Sequence, residues 1–537
     1  MSSLKTLCAL LFLESVFCDL RTDPLVSTSV GLIRGLRAPD GDYSMFLGIP
    51  YAIVDKANPF KSSMPHPIFE ETFEADDDSA LCPQDVNANT ITGTLDCLQL
   101  NVFTPDSAHS GNLLPVMVWI HGGFLQRGGF SRETYGPKFL VRHDIILITI
   151  NYRVGVYGFM CLDTPEIPGN QGLKDQIVAL KWIQGNIRAF GGDPTQVTLA
   201  GLSAGGAAID FHLMYPGTKL FTKVILQSGV ALTPARLIES DNTKPLKLAA
   251  HFGFVTRVLD EALSFLATID TNLVIAATLE LGLEFRSCVE KTFDGVEAFI
   301  PEHPANADRP KVSNIPVLIG TVDKEMLAKY INQNSDFFRN LNVFEVELDK
   351  TFDFGEDLNA MVEVVRNFYV GDDVMTEDDR WRVIDFESDF TYVHATQRAM
   401  RKYIESGAEN IFFYVFTYAG GRNFVKHSNG ILNAPGAAHA DEQGYIFDPS
   451  SIPEEPTEED QTIIDRMTTM WTNFVKYGNP TPETSELLPV SWTPITPKKW
   501  HCMNISTDLN LQGRPFHARM AFWDLFYSMN GKFEKGV

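Results

Sequence analysis

Val197-Thr198-Leu199-Ala200-Gly201-Leu202-Ser203-Ala204-Gly205-Gly206-Ala207-Ala208-Ile209 is the stretch on which the reading of this chain turns. Val197–Ala200 is short and apolar with a β-branched start, the pattern of a strand buried on both faces. Residues 207–213 carry an apolar helical pattern. Between them lies a Gly-x-Ser-x-Gly run, so the order is strand, tight turn, helix. A serine on such an elbow projects its Oγ above the sheet, and the flanking glycines leave room for the turn. Ser203 is therefore the candidate nucleophile.

The surrounding sequence repeats the strand–helix alternation. Residues 116–120, 145–150, 224–227, 317–319 and 411–416 read as further buried strands. Leu173 to Phe190 is predicted helical, with Ile177, Leu180, Ile183 and Ile187 on one face and Gly191-Gly192-Asp193-Pro194 as its stop. A later helix starts at Thr457 with Asp460 as a capping box, and puts Ile464, Met467, Trp471 and Phe474 on one face. This alternation predicts an α/β fold, a mostly parallel sheet covered by helices on both faces. Residues 235–315 and 325–400 read as helical insertions that roof the site. With no repeat or low-complexity linker, residues 19–537 are expected to form one domain.

Composition bounds the function. The 44% hydrophobic residues support a sizeable core in 537 residues, and the 68 acidic against 44 basic residues give a net charge of −24. That field repels nucleic acid, and by itself favours an uncharged or cationic small-molecule substrate. Lys5 followed by the apolar Thr6–Phe17 stretch reads as a secretory signal over residues 1–18, with the mature chain starting near Asp19. No later run is long enough to span a bilayer and no anchor is expected, so the product is expected to be extracellular. Of the cysteines left, Cys82 and Cys97 share a loop, and a bridge between them would contribute about 3 kcal/mol. Cys161, Cys288 and Cys502 are read as buried thiols, with a further pair among them left open by the sequence. Asn504-Ile505-Ser506 is the one N-glycosylation sequon. Metal-ligand spacings are absent, and the chemistry calls for no cofactor.

A serine nucleophile needs a base, and the base needs an orienting acid. In α/β hydrolases both follow the nucleophile, acid first. After the strand at 317–319, Gly320-Thr321-Val322-Asp323-Lys324-Glu325 offers two acids. Gly436-Ala437-Ala438-His439-Ala440-Asp441-Glu442 puts a histidine in a loop of small residues, but His303, His394 and His427 compete with it.

Several blocks in order resemble the type-B carboxylesterase/cholinesterase family, from about Val30 to Phe526. They are Phe46–Ala52, Asp96–Val102, Gly169–Gln176 and Phe190–Pro194. The resemblance implies the α/β-hydrolase fold and hydrolysis of carboxylic esters. It puts the catalytic acid on Glu325 rather than Asp323, the base on His439, and a disulfide on Cys82 and Cys97, while the family's second disulfide finds no matching pair. It also implies an oxyanion hole of backbone N–H groups from Gly123, Phe124 and Ala204. Relatives often carry a third glycine or an alanine where His121-Gly122-Gly123-Phe124 has its phenylalanine.

Within the family, two absences argue against a cholinesterase. The loop between Cys82 and Cys97 has no Trp to receive choline, and Ala235 stands where cholinesterases limit the acyl pocket with a Trp. Asn58-Pro59-Phe60, Pro65-His66-Pro67 and Phe73–Ser79 resemble insect secreted esterases of the antennal, cuticular and pheromone-degrading kinds. Juvenile hormone esterases are similar too, but their Gln before the nucleophile is Leu202 here and their Arg-Phe pair is Pro59-Phe60. Some relatives are non-catalytic adhesion or binding proteins. They typically lose a triad member, whereas all three are kept here.

Overall fold

The computed structural model describes residues 23–86 and 90–537, so the leader expected over residues 1–18 lies outside the described residues. Among the described residues the chain builds one eleven-stranded sheet. Its strands, in chain order, are β1 (Leu36–Arg37), β2 (Tyr43–Pro50), β3 (Gln99–Pro105), β4 (Leu114–Ile120), β5 (Ile146–Ile150) and β6 (Gly192–Leu202). Then come β7 (Lys223–Gln227), β8 (Val317–Val322), β9 (Ile411–Phe416), β10 (Cys502–Ile505) and β11 (Asn510–Gln512). The spatial order is β11-β10-β9-β8-β7-β6-β4-β5-β3-β2-β1. Pairing is parallel from β5 through β4 and β6 to β10, and antiparallel at both margins.

The central stretches of the parallel strands are mainly apolar because both their faces are covered. Along β4, Val116, Val118 and Ile120 join one core while Met117 and Trp119 join the other. Helices α1 (Gln171–Asn186) and α2 (Ala204–Met214) pack on the first face, and α3 (Glu458–Tyr477) on the second. The predicted helix to Phe190 stops being α-helical at Asn186. Its last turn, Ile187–Phe190, tightens to a 3-10 helix because the Gly191 N–H, at φ 80°, reaches back to Arg188 O and Ile187 O. At the start of α3 the Thr457 hydroxyl accepts from Asp460 N at 3.1 Å. The Asp460 carboxylate does not return to the Thr457 N–H as a capping box requires. It accepts from Tyr418 and from Gly421 N instead.

Both insertions are helical. Thr243–His251, Leu259–Leu266 and Thr271–Glu280 extend the first core. Helices from Val343 to Glu405 form a third core with the C-terminal helix His517–Asn530, centred on Phe344, Phe386 and Trp523. No helix among the described residues is long and apolar enough to cross a membrane.

Cys82 and Cys97 are joined by a disulfide. Cys161 and Cys288, read above as thiols without a family counterpart, are joined as well, so only Cys502 is a free thiol among the described residues. The 127-residue separation hid this pair. What brings it together is the Asn170 side chain, which donates to Cys288 O at 2.8 Å and accepts from Cys288 N at 3.1 Å. Asn504 sits half-buried in β10, its Oδ1 accepting from the Thr417 hydroxyl at 2.8 Å.

Candidate active site

Ser203 follows the end of β6 and caps α2 at φ 57° and ψ −121°, a strained backbone for a residue with a side chain. Two close approaches enforce it. A Cβ on Gly205 would lie 2.0 Å from Ile120 O, and one on Gly229 would lie 1.8 Å from Ser203 O. Only bare backbone fits at these two positions. The Ser203 N–H donates to Gln227 O at 2.8 Å, tying the elbow to the end of β7, and Ser203 is 4% exposed.

The next residue, Ser228, leads to the acid. Its hydroxyl donates to Glu325 Oε1 at 2.6 Å, and Val322 N donates to the same oxygen at 3.0 Å. Glu325 Oε2 meets His439 Nδ1 at 2.6 Å, with the carboxylate fully buried and the imidazole 22% exposed. The His439 N–H also donates to Glu325 O, so backbone and side chain fix the pair together. Ser203 Oγ and the imidazole are not hydrogen-bonded to one another. The elbow is linked to the pair through Gln227, Ser228 and Gly229.

The competing candidates are engaged elsewhere. Asp323 accepts from Ala437 N at 2.8 Å, so it braces the histidine loop from outside, and burial pushes its pKa up to about 6. His394 meets Asp524 at 3.1 Å, His427 meets Glu454 at 3.2 Å, and His303 accepts from Ala305 N.

The Gly122–Arg127 turn faces the elbow. Gly123, Phe124 and Leu125 follow one another at φ 110°, 59° and 64°. The N–H groups of Gly123 and Phe124 have no acceptor among the described residues, and Ala204, first residue of α2, presents an N–H without an intrahelical partner. Free N–H groups of this kind suit an oxyanion. A cavity of about 450 Å³ opens beside Gly123 and Phe124, walled by Val156, Ile275, Leu279 and Leu283. The Phe124 ring, 56% exposed, stands in it.

The carboxylesterase family model matches residues 22–523. The chain belongs to the carboxylesterase family. It is thereby a carboxylic ester hydrolase of the α/β-hydrolase fold. Over 474 residues it is 31% identical to Esterase FE4 of Myzus persicae, covering 84% of this chain and 83% of that protein. It is 29% identical over 551 residues to juvenile hormone esterase of Tribolium castaneum, covering 94% and 92%. A crystal structure of juvenile hormone esterase from Manduca sexta, with OTFP covalently attached, superposes at TM-score 0.81 and 27% identity, covering 94% of this chain and all of that one.

Four residues of this carboxylesterase site escaped the sequence reading. Ser228 holds the acid, and the signal for it was position alone, the first residue beyond the strand next to the elbow. Tyr392, from the second insertion, sets its ring 4.6 Å from that of His439. Asp441 organises the histidine loop, accepting from Ala438 N at 2.6 Å and from Val425 N and Lys426 N at 2.9 Å. Glu442, held at 3.0 Å by the Gln227 amide, lies behind Glu325. Burial, then the Glu325 charge, pushes its pKa up to about 7. Gln227 is in turn fixed by the Trp471 indole of α3 at 3.0 Å.

Proposed function

We propose that this carboxylesterase works as a secreted serine esterase with Ser203 as nucleophile, His439 as general base and acid, and Glu325 as the orienting carboxylate. The observation that carries the reading is the 2.6 Å contact of the buried Glu325 carboxylate with His439, two strands away from the strained Ser203 elbow. His439 takes the Ser203 proton as Oγ attacks the ester carbonyl, and Glu325 stabilises the imidazolium that forms. The N–H groups of Gly123, Phe124 and Ala204 take the oxyanion. Collapse expels the alcohol, which leaves with the proton from His439. Water, deprotonated by His439, then releases the acid. Export rests on the leader over residues 1–18, and N-terminal sequencing of the medium fraction should find a start near Asp19.

The test is Ser203→Ala, read on short-chain nitrophenyl esters and by organophosphate labelling mapped by mass spectrometry. Loss of the nucleophile is expected to lower turnover about a millionfold. Label on another serine would overturn the assignment. A second reading, juvenile hormone hydrolysis, is favoured by the coverage of the two juvenile hormone esterases and opposed by Leu202 and Pro59. Assay of juvenile hormone beside butyrate esters separates the two.

A further inference from the structure

Among the described residues four arginines are buried, and three of them have a carboxylate. Arg153 pairs with Asp175 at 2.7 Å, Arg309 with Asp210 at 3.2 Å and Arg422 with Asp448 at 3.0 Å. The fourth, Arg236, is 7% exposed and makes neither an ion pair nor a hydrogen bond with any described residue, and its Nε is buried without an acceptor. Burying a charge without a partner is costly, and folds rarely tolerate it.

Its neighbours place it in the candidate active site. The guanidinium carbon lies 5.8 Å from the centre of the Phe124 ring, a weak cation–π contact. Tyr392, Tyr152 and the like-charged Arg286 lie within electrostatic range of it, and burial holds its pKa below the ordinary guanidinium value. The Tyr392 ring packs against His439 at a tilt of 35°, and the Tyr152 ring stacks 4.3 Å from that of His121 and its hydroxyl donates to His121 O at 2.8 Å. Arg236 therefore lies beside the oxyanion turn, within electrostatic range of the tyrosine that packs on the base. Of the other cations nearby, Arg127 is exposed to solvent, and Arg286 is answered by Glu284 at 2.9 Å and by Ala235 O at 2.5 Å.

We propose that Arg236 forms an anion subsite inside the active site, which takes the carboxylate of an ester that carries one in addition to its scissile group. A carboxylate matches the planar guanidinium, which forms two parallel hydrogen bonds to it. The net charge of −24 suggested an uncharged or cationic substrate, but surface charges are screened beyond about 8 Å in physiological salt. At contact range the unanswered cation decides.

The proposal rests on the serine-esterase reading, and the experiment keeps the two apart. The 4-nitrophenyl monoesters of adipic and suberic acid are compared with 4-nitrophenyl hexanoate and octanoate, placing the carboxylate on the acyl arm. The acetate of 4-hydroxyphenylacetic acid is compared with 4-ethylphenyl acetate, placing it on the alcohol arm. On one arm the carboxylate ester is expected to win by about ten- to hundredfold in kcat/KM. That ratio collapses in Arg236→Met and survives in part in Arg236→Lys. A wild-type ratio at or below unity on both arms, or one that Arg236→Met leaves intact, overturns the proposal. Calorimetry of monomethyl adipate against dimethyl adipate on the Ser203→Ala protein reads the subsite without turnover, and the same preference is expected there. If Ser203→Ala keeps full activity while the preference still depends on Arg236, the nucleophile assignment fails and the subsite stands. If Ser203→Ala is inactive and no preference appears, the subsite fails alone.

Discussion

Ser228→Ala removes one of three donors to a carboxylate that water cannot reach. Glu325, with its side chain fully buried, accepts from Ser228 Oγ at 2.6 Å, Val322 N at 3.0 Å and His439 Nδ1 at 2.6 Å. A hydrogen bond to a charged group contributes about 1.5–3 kcal/mol, which is roughly ten- to hundredfold in an equilibrium or rate. The alanine leaves an unfilled lone pair and frees the carboxylate to turn about its last torsion, away from the imidazole. The loss falls where the imidazolium forms, so kcat should drop about ten- to hundredfold with KM little changed. The assay is steady-state kinetics on 4-nitrophenyl butyrate beside urea unfolding of both proteins. Unchanged kcat with a lowered unfolding midpoint would refute the reasoning, since Ser228 would then support only the fold.

Phe124→Gly should raise kcat/KM by up to about tenfold for esters branched near the carbonyl and little for acetates, because the ring stands beside the oxyanion donors and the backbone there is left-handed. A Gly variant slower on acetate, butyrate and branched esters alike would instead make the ring a substrate-binding wall. Glu442→Gln should remove a pH slope in stability. Folded Glu442 keeps its proton up to about pH 7 and unfolded Glu442 only to about 4.5, so the wild type is most favoured below pH 4.5 and loses that advantage as pH rises to 7. Urea titrations at pH 5 and pH 8 should show the variant gaining on the wild type at the higher pH, and a constant difference would refute this. The double variant Cys161→Ala/Cys288→Ala should lose about 2–5 kcal/mol of stability, more than opening the shorter Cys82–Cys97 loop, in denaturant titrations.

The strands from β4 to β9 were legible because burial on both faces leaves no room for polar residues, so each appears as an apolar run. The elbow was legible because its geometry demands glycines at fixed offsets. The acid was not legible from spacing, since Asp323 and Glu325 both leave β8 within one turn and differ only in what they reach, Ala437 N or His439. Histidine loops carry no period, so His439 rested on family resemblance, and Asp441, which shapes that loop, was visible only in three dimensions. The second insertion resisted reading because its short helices bury against the C-terminal helix, a partner more than a hundred residues away. Cys161 and Cys288 resisted for the same reason. Arg236 was invisible in the sequence, because what sets it apart is the carboxylate it lacks.

The Cys161–Cys288 bond closes a ring of chain that contains Ser203, Ser228 and Arg236. A single protease cut anywhere inside that ring, including the surface helices of the first insertion, leaves both ends attached to the same molecule. A clipped protein would therefore migrate intact on a non-reducing gel and fall into two pieces only with reductant. The pieces would also reseat without having to find one another in solution. Closure makes the stretch of chain around the nucleophile damage-tolerant, independently of what it adds to folding.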